Sequence, residues 1–164
     1  MLARDDIERL APALRRCAHA LCAGPDAVAA GDELVRETLR RALQSRAPTE
    51  GVRLDVWLIA VLVDAARAAA ARPGPGVAMP TAAPEQRSDN PAERAQAALA
   101  ALAPADREAL VLVGLARLGY AEAAAALGLS STQLIARLSA ARDQFAALTS
   151  GRRARSAAHL RVVK

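Results

Sequence analysis

The chain has 164 residues, with 22 basic and 17 acidic groups and a formal charge of +5. A hydrophobic content of 53% excludes global disorder, which needs a polar, highly charged composition. The longest apolar run, Val56 to Val63, falls well short of the ~18 residues a membrane span requires. Two cysteines make no disulfide framework, and Asp5 and Asp6 stand where a secretory leader would be apolar, so a cytoplasmic protein is expected.

Ile7, Leu10, Leu14, Cys17, Ala18 and Leu21 recur at steps of three and four, which predicts an amphipathic helix ended by Gly24-Pro25-Asp26. A second helix is predicted from Ala27 to Gln44. It buries Leu34, Val35, Thr38, Leu39, Ala42 and Leu43 and turns Asp32, Glu33, Arg36, Glu37, Arg40 and Arg41 outward. The third, Leu54 to Ala71, is apolar nearly all round in its first half and must be central, with Trp57 in its core.

Pro73-Gly74-Pro75-Gly76 and the prolines at 80, 84 and 91 cannot sustain a helix. They divide the chain into residues 1–72, a linker at 73–90 and a second block at 91–150. That block opens with Asn90-Pro91-Ala92-Glu93, a helix start signal. Helices follow at about 91–102, 105–117, 120–127 and 131–148, the last beginning with a capping box of Ser130 and Gln133. No strand-like alternation occurs. The expected fold is all-α, two small helical bundles joined by a Pro/Gly-rich connection.

Charge is uneven along this frame. Residues 1–72 carry 11 basic and 10 acidic groups and residues 73–150 carry 6 and 7, while the tail at 151–164 holds five cations and no acid. The folded part is therefore near neutral. Counterion release, the source of phosphate affinity, depends on local cation clusters, so the tail supplies only sequence-blind attraction.

Tyr120 to Leu127, the turn Gly128-Leu129-Ser130 and the capped helix after it read as a helix-turn-helix. In the longer helix Leu134, Leu138, Ala141, Phe145 and Leu148 point inward. Thr132, Gln133, Ala136, Ser139, Ala140 and Asp143 face out, flanked by Arg137 and Arg142.

Asp106-Arg107-Glu108-Ala109-Leu110-Val111-Leu112-Val113, followed by Gly119-Tyr120-Ala121-Glu122-Ala123-Ala124-Ala125-Ala126-Leu127-Gly128, resembles region 4 of the extracytoplasmic-function (ECF) bacterial sigma factors. Leu14-Arg15-Arg16, the stretch Asp32 to Leu43, and Trp57-Leu58 resemble region 2 of the same family. The resemblance implies core RNA polymerase as a partner, met by Asp32, Glu33, Val35, Arg36 and Glu37. It also implies promoter DNA, met by Arg67, Arg72, Ser131, Thr132, Gln133, Arg137, Ser139 and Arg142. An anti-sigma factor or similar regulator is the further partner expected.

The chain departs from the family at DNA-contact positions. Val63-Asp64 replaces an Arg-Asn pair, Ile135 and Ala140 stand where cations are frequent, and Asp143 adds repulsion. These departures support an alternative: a sigma-like mimic that binds an anti-sigma factor without promoter recognition.

Cys17, His19 and Cys22 do not make a metal site, because helical steps of two and five residues turn by about 200° and 140° and send the side chains apart. One or both thiols are expected in the core. No nucleophile with its base, phosphate-cradling loop or carboxylate pair is present in the sequence, so no enzyme activity, cofactor or small-molecule substrate is expected.

Overall fold

A computed structural model describes residues 4–23, 26–45, 48, 51–72 and 90–150. Apart from Asn90, the expected linker lies outside the described residues, as does the basic tail. Every regular element among the described residues is helical. These are α1 (Arg4–Leu21), α2 (Ala27–Gln44), α3 (Leu54–Ala70), α4 (Pro91–Ala101), α5 (Pro104–Leu110), a π-helical turn at Val111–Leu115, α6 (Tyr120–Leu127) and α7 (Ser131–Thr149).

Three of the start and stop signals work as the sequence predicts, while Gly24 and Pro25 of the expected stop after α1 lie outside the described residues. Asn90 accepts a hydrogen bond from the Ala92 amide at 3.0 Å, and Pro91 takes the first helical position of α4. Ser130 and Gln133 close a reciprocal box: the Gln133 amide donates to Ser130 Oγ at 3.2 Å, and the Ser130 amide donates to Gln133 Oε1 at 2.9 Å. Gly128 is left-handed at φ 68°, which ends α6 and lets the Leu129 amide reach back to the Ala124 carbonyl.

The helix expected at 105–117 is different in detail. The α-helical part stops at Leu110, and the next turn is widened, with the Ala116 amide bonded to the Val111 carbonyl and the Leu118 amide to that of Leu112. The extra residue in this turn lets Val111, Leu112 and Leu118 all face the core. Arg117, at φ 55°, takes the left-handed conformation that reverses the chain toward α6.

α1, α2 and α3 pack on one another, α5 and α6 pack on α7, and the two groups meet. α1 lies against α4, α5 and the π-helical turn, while α3 lies against α6. One contiguous core results, in which Leu14, Leu58, Leu62 and Val63 from the first block pack with Val111, Leu112, Leu127 and Leu134 from the second. Cys17 is 1% exposed and belongs to this core, as expected for a small apolar residue. Trp57 is half-buried and packs against it.

Candidate polymerase and nucleic-acid interfaces

On α2 the charged face forms, but its members are already paired, within α2 or with α1. Asp32 stands 3.2 Å from both Arg15 Nε and His19 Nε2 of α1. Arg36 Nε donates to Glu33 at 3.0 Å, and Arg40 and Arg41 donate to Glu37 at 2.7 to 2.8 Å. The two guanidinium groups hold the Glu37 carboxyl down to about 2. Val35 is not part of this face. It is 6% exposed and packs in the core, because it shares the buried stripe of Leu34, Thr38 and Ala42. The outward set is therefore Asp32, Glu33, Arg36 and Glu37, and Leu43, expected on the buried side, is also exposed.

On α3, Arg67 does not stand alone. Its guanidinium meets the Glu108 carboxylate of α5 in a two-pronged pair, Nη2 to Oε2 at 2.6 Å and Nε to Oε1 at 3.1 Å. The pair raises the Arg67 pKa, chiefly through that hydrogen bond. Arg72 lies exposed beyond the end of α3.

Arg107, the neighbour of Glu108, is only 8% exposed. Its guanidinium donates to the carbonyls of Leu99 (2.7 Å), Ala100 (2.8 Å) and Leu102 (3.0 Å) at the end of α4, and of Leu21 (2.9 Å) at the end of α1. The last carbonyls of a helix have no partner within it and carry its negative dipole end. One cation thus closes two helix ends from opposite halves of the chain. Burial is the largest influence on its pKa and lowers it. Gln96 adds a further tie between the blocks, donating to the His19 carbonyl at 3.1 Å. At the rim Arg53 reaches Glu122 at 3.4 Å.

The helix-turn-helix presents the outer side of α7 to solvent. Leu134, Leu138 and Ala141 seal its inner side and Phe145 is half-buried, whereas Leu148, expected inward, is exposed with Ser131, Thr132, Ile135, Ala136, Ser139, Ala140, Arg142 and Asp143. The Gln133 side chain serves the capping box. Arg137 is half-exposed and leans toward Asp106, 4.0 Å away. Ser139 and Arg142 line a shallow crevice of about 270 Å³ with Tyr120, Ile135, Leu138 and Asp143.

Of the DNA-contact residues expected from the sequence, the fold gathers Ser131, Thr132, Gln133, Arg137, Ser139 and Arg142 on α7. Arg67 and Arg72 lie on or beyond α3. Tyr120 and Ile135, 46% and 51% exposed, join the α7 surface although the sequence reading did not include them. An aliphatic residue among outward positions and an aromatic at the start of α6 were the available signals.

Comparison with known proteins identifies this frame. Residues 92–145 match the family described as Sigma-70, region 4. The ECF RNA polymerase sigma factor EcfG of Rhodopseudomonas palustris (strain TIE-1) is 32% identical over 154 residues, 88% of this chain and 83% of that protein. Among solved structures, the sigma factor RpoE of Bartonella quintana, crystallised with the anti-sigma factor NepR, gives a TM-score of 0.71 at 24% identity. It covers 92% of this chain and 98% of the matched one. CnrH, solved with the cytosolic domain of CnrY, gives 0.63 at 22% identity over 90% and 86% of the two chains. The structural likenesses establish the fold, and the 32% identity across both blocks establishes the family: the chain is a member of the ECF sigma factors.

Proposed function

We propose that the chain recruits core RNA polymerase to promoters. Polymerase docks on the charged face of α2 through Asp32, Glu33, Arg36 and Glu37, and α7 enters the major groove of promoter DNA. The observation that carries the reading is the identity with an RNA polymerase sigma factor, which runs through both blocks and not only through the helix-turn-helix. Its physical support is the capped helix α7, which seats Leu134 and Leu138 in the core and leaves the outer side of its N-terminal half exposed, as groove reading requires. A protein of the anti-sigma class is the regulator proposed, and the cytoplasm, where polymerase works, is the proposed location. Among the described residues no helix is long and apolar enough to cross a membrane.

Residues 1–72 and 91–150 act in this proposal as two units that part when polymerase binds. Arg67 then contacts DNA only after leaving Glu108, so promoter contact by α3 is coupled to separation of the blocks. The mimic that binds a regulator without reading promoters is not favoured by the sigma-factor identity. The test is reconstituted transcription with core polymerase on a library of upstream sequences. Initiation at defined promoters is expected. Paired charge reversal on the α2 face, Glu33→Arg with Glu37→Arg, is expected to abolish core binding while leaving the helical signal intact. Absence of initiation at any promoter refutes the reading.

A further inference from the structure

Reading a base pair requires side chains that reach base edges, and the outward surface of α7 is unusual in what it offers. Thr132, Ile135, Ala136 and Ser139 are neighbours at helical steps of three and four, all exposed, within the first two and a half turns. None is charged. The nearest cations stand at the edges: Arg137 leans away toward Asp106, and Arg142 lies a turn further on beside Asp143. Guanine is most often read by an arginine or lysine that bonds two acceptors at once, whereas thymine is read by apolar contact with its 5-methyl group.

Ile135 is 51% exposed over the crevice that it shares with Tyr120 and Ser139. Its inner neighbours Leu134 and Leu138 already fill the core side of the helix, so half of an aliphatic side chain is left in water. Thr132 and Ala136 extend the same methyl-bearing surface on either side. Asp143 stands beside Arg142, so the C-terminal half of α7 carries no net positive charge to draw phosphates toward it.

We infer that Ile135 is a specificity-determining residue: it packs against the 5-methyl group of a thymine in the upstream promoter element. The inference rests on the proposed promoter-binding function. Thr132 and Ala136 flank this contact, and the Thr132 and Ser139 hydroxyls bond to adjacent base edges. Recognition is then by methyl contact, with phosphate attraction confined to the rim.

The experiment uses the full chain with core polymerase and a promoter duplex selected by that complex from a randomised library. Each thymine of the upstream element is replaced in turn by deoxyuridine, which keeps every hydrogen-bonding group and removes only the methyl. One position is expected to lose affinity about fourfold, the effect of one buried methyl group, and the others to change little. Ile135→Ala is expected to bind thymine and uracil duplexes equally at that position, and because Ile135 is exposed the variant folds.

A flat deoxyuridine scan with salt-dependent binding intact overturns the role of Ile135 and leaves the sigma function standing. So does a thymine preference that persists unchanged in Ile135→Ala. Failure to select any duplex in the presence of core polymerase overturns the sigma function itself, and this inference with it.

Discussion

Replacing Arg107 by alanine tests whether the two halves are joined through one buried cation. The side chain makes four hydrogen bonds to carbonyls at the ends of α1 and α4, and its guanidinium is nearly sealed from water. A hydrogen bond to a charged group contributes about 1.5–3 kcal/mol, so the gross loss is on the order of 6 kcal/mol or more. Truncation also relieves the cost of burying the charge and opens room for water to reach some carbonyls. A net loss of about 3 kcal/mol is expected, within the range for removing one partner of a buried charged contact.

Urea unfolding followed by circular dichroism measures this loss. At about 2 kcal/mol per molar, a slope ordinary for a chain of this size, the midpoint falls by about 1.5 M. Arg107→Met keeps the apolar stem but not the donors, and is expected to lose nearly as much, which separates hydrogen bonding from packing. Arg107→Lys retains one compact ammonium without the planar fork and should fall between. A midpoint for Arg107→Met within about 0.3 M of the parent would refute the argument, because the carbonyls would then be satisfied without the guanidinium.

Three more outcomes follow from other contacts. Glu37 has a depressed pKa of about 2, so its pairing with Arg40 and Arg41 stabilises the fold above the ordinary carboxylate pKa and is lost as pH falls toward 2. The melting-temperature gap between the parent and Glu37→Gln should therefore be present at pH 7 and close at low pH. Gly31→Ala should destabilise by about 1–3 kcal/mol in thermal unfolding although alanine favours helices. An added Cβ would lie 2.3 Å from the His19 ring and 3.0 Å from the His19 backbone, where α2 crosses α1. Burial raises the thiol pKa of Cys17 to about 11, so a thiol reagent at pH 8 should modify half-buried Cys22 first and reach Cys17 only at the rate of unfolding.

Much of this protein is written in short-range signals. The period of the apolar residues placed α1, α2 and α7, an apolar run placed α3, Gly119 and Gly128 bounded α6, and the capping sets Asn90-Pro91 and Ser130–Gln133 marked where α4 and α7 begin, because a helix start depends on residues within one turn. Val35 shows where a family correspondence and local periodicity disagree. The periodicity put it with Leu34 and Thr38, and that is the face the fold buries. The widened turn at Val111–Leu115 was not legible, since it arises from the need to point Val111, Leu112 and Leu118 at one core, a demand set by distant neighbours.

The joining of the blocks was beyond the sequence for the same reason. Arg107 is 86 residues from Leu21, and Arg67 is 41 from Glu108. Beside Asp106 and Glu108, Arg107 reads as part of an ordinary charged surface. Its burial depends on where the ends of α1 and α4 arrive, and Arg67 gains a carboxylate only because α5 packs over α3. Sequence determined which segments are helical and which sides are apolar, since both follow from neighbours along one chain. Tertiary packing decided which apolar sides meet and which charged groups leave water, because those depend on where separate helices end in space.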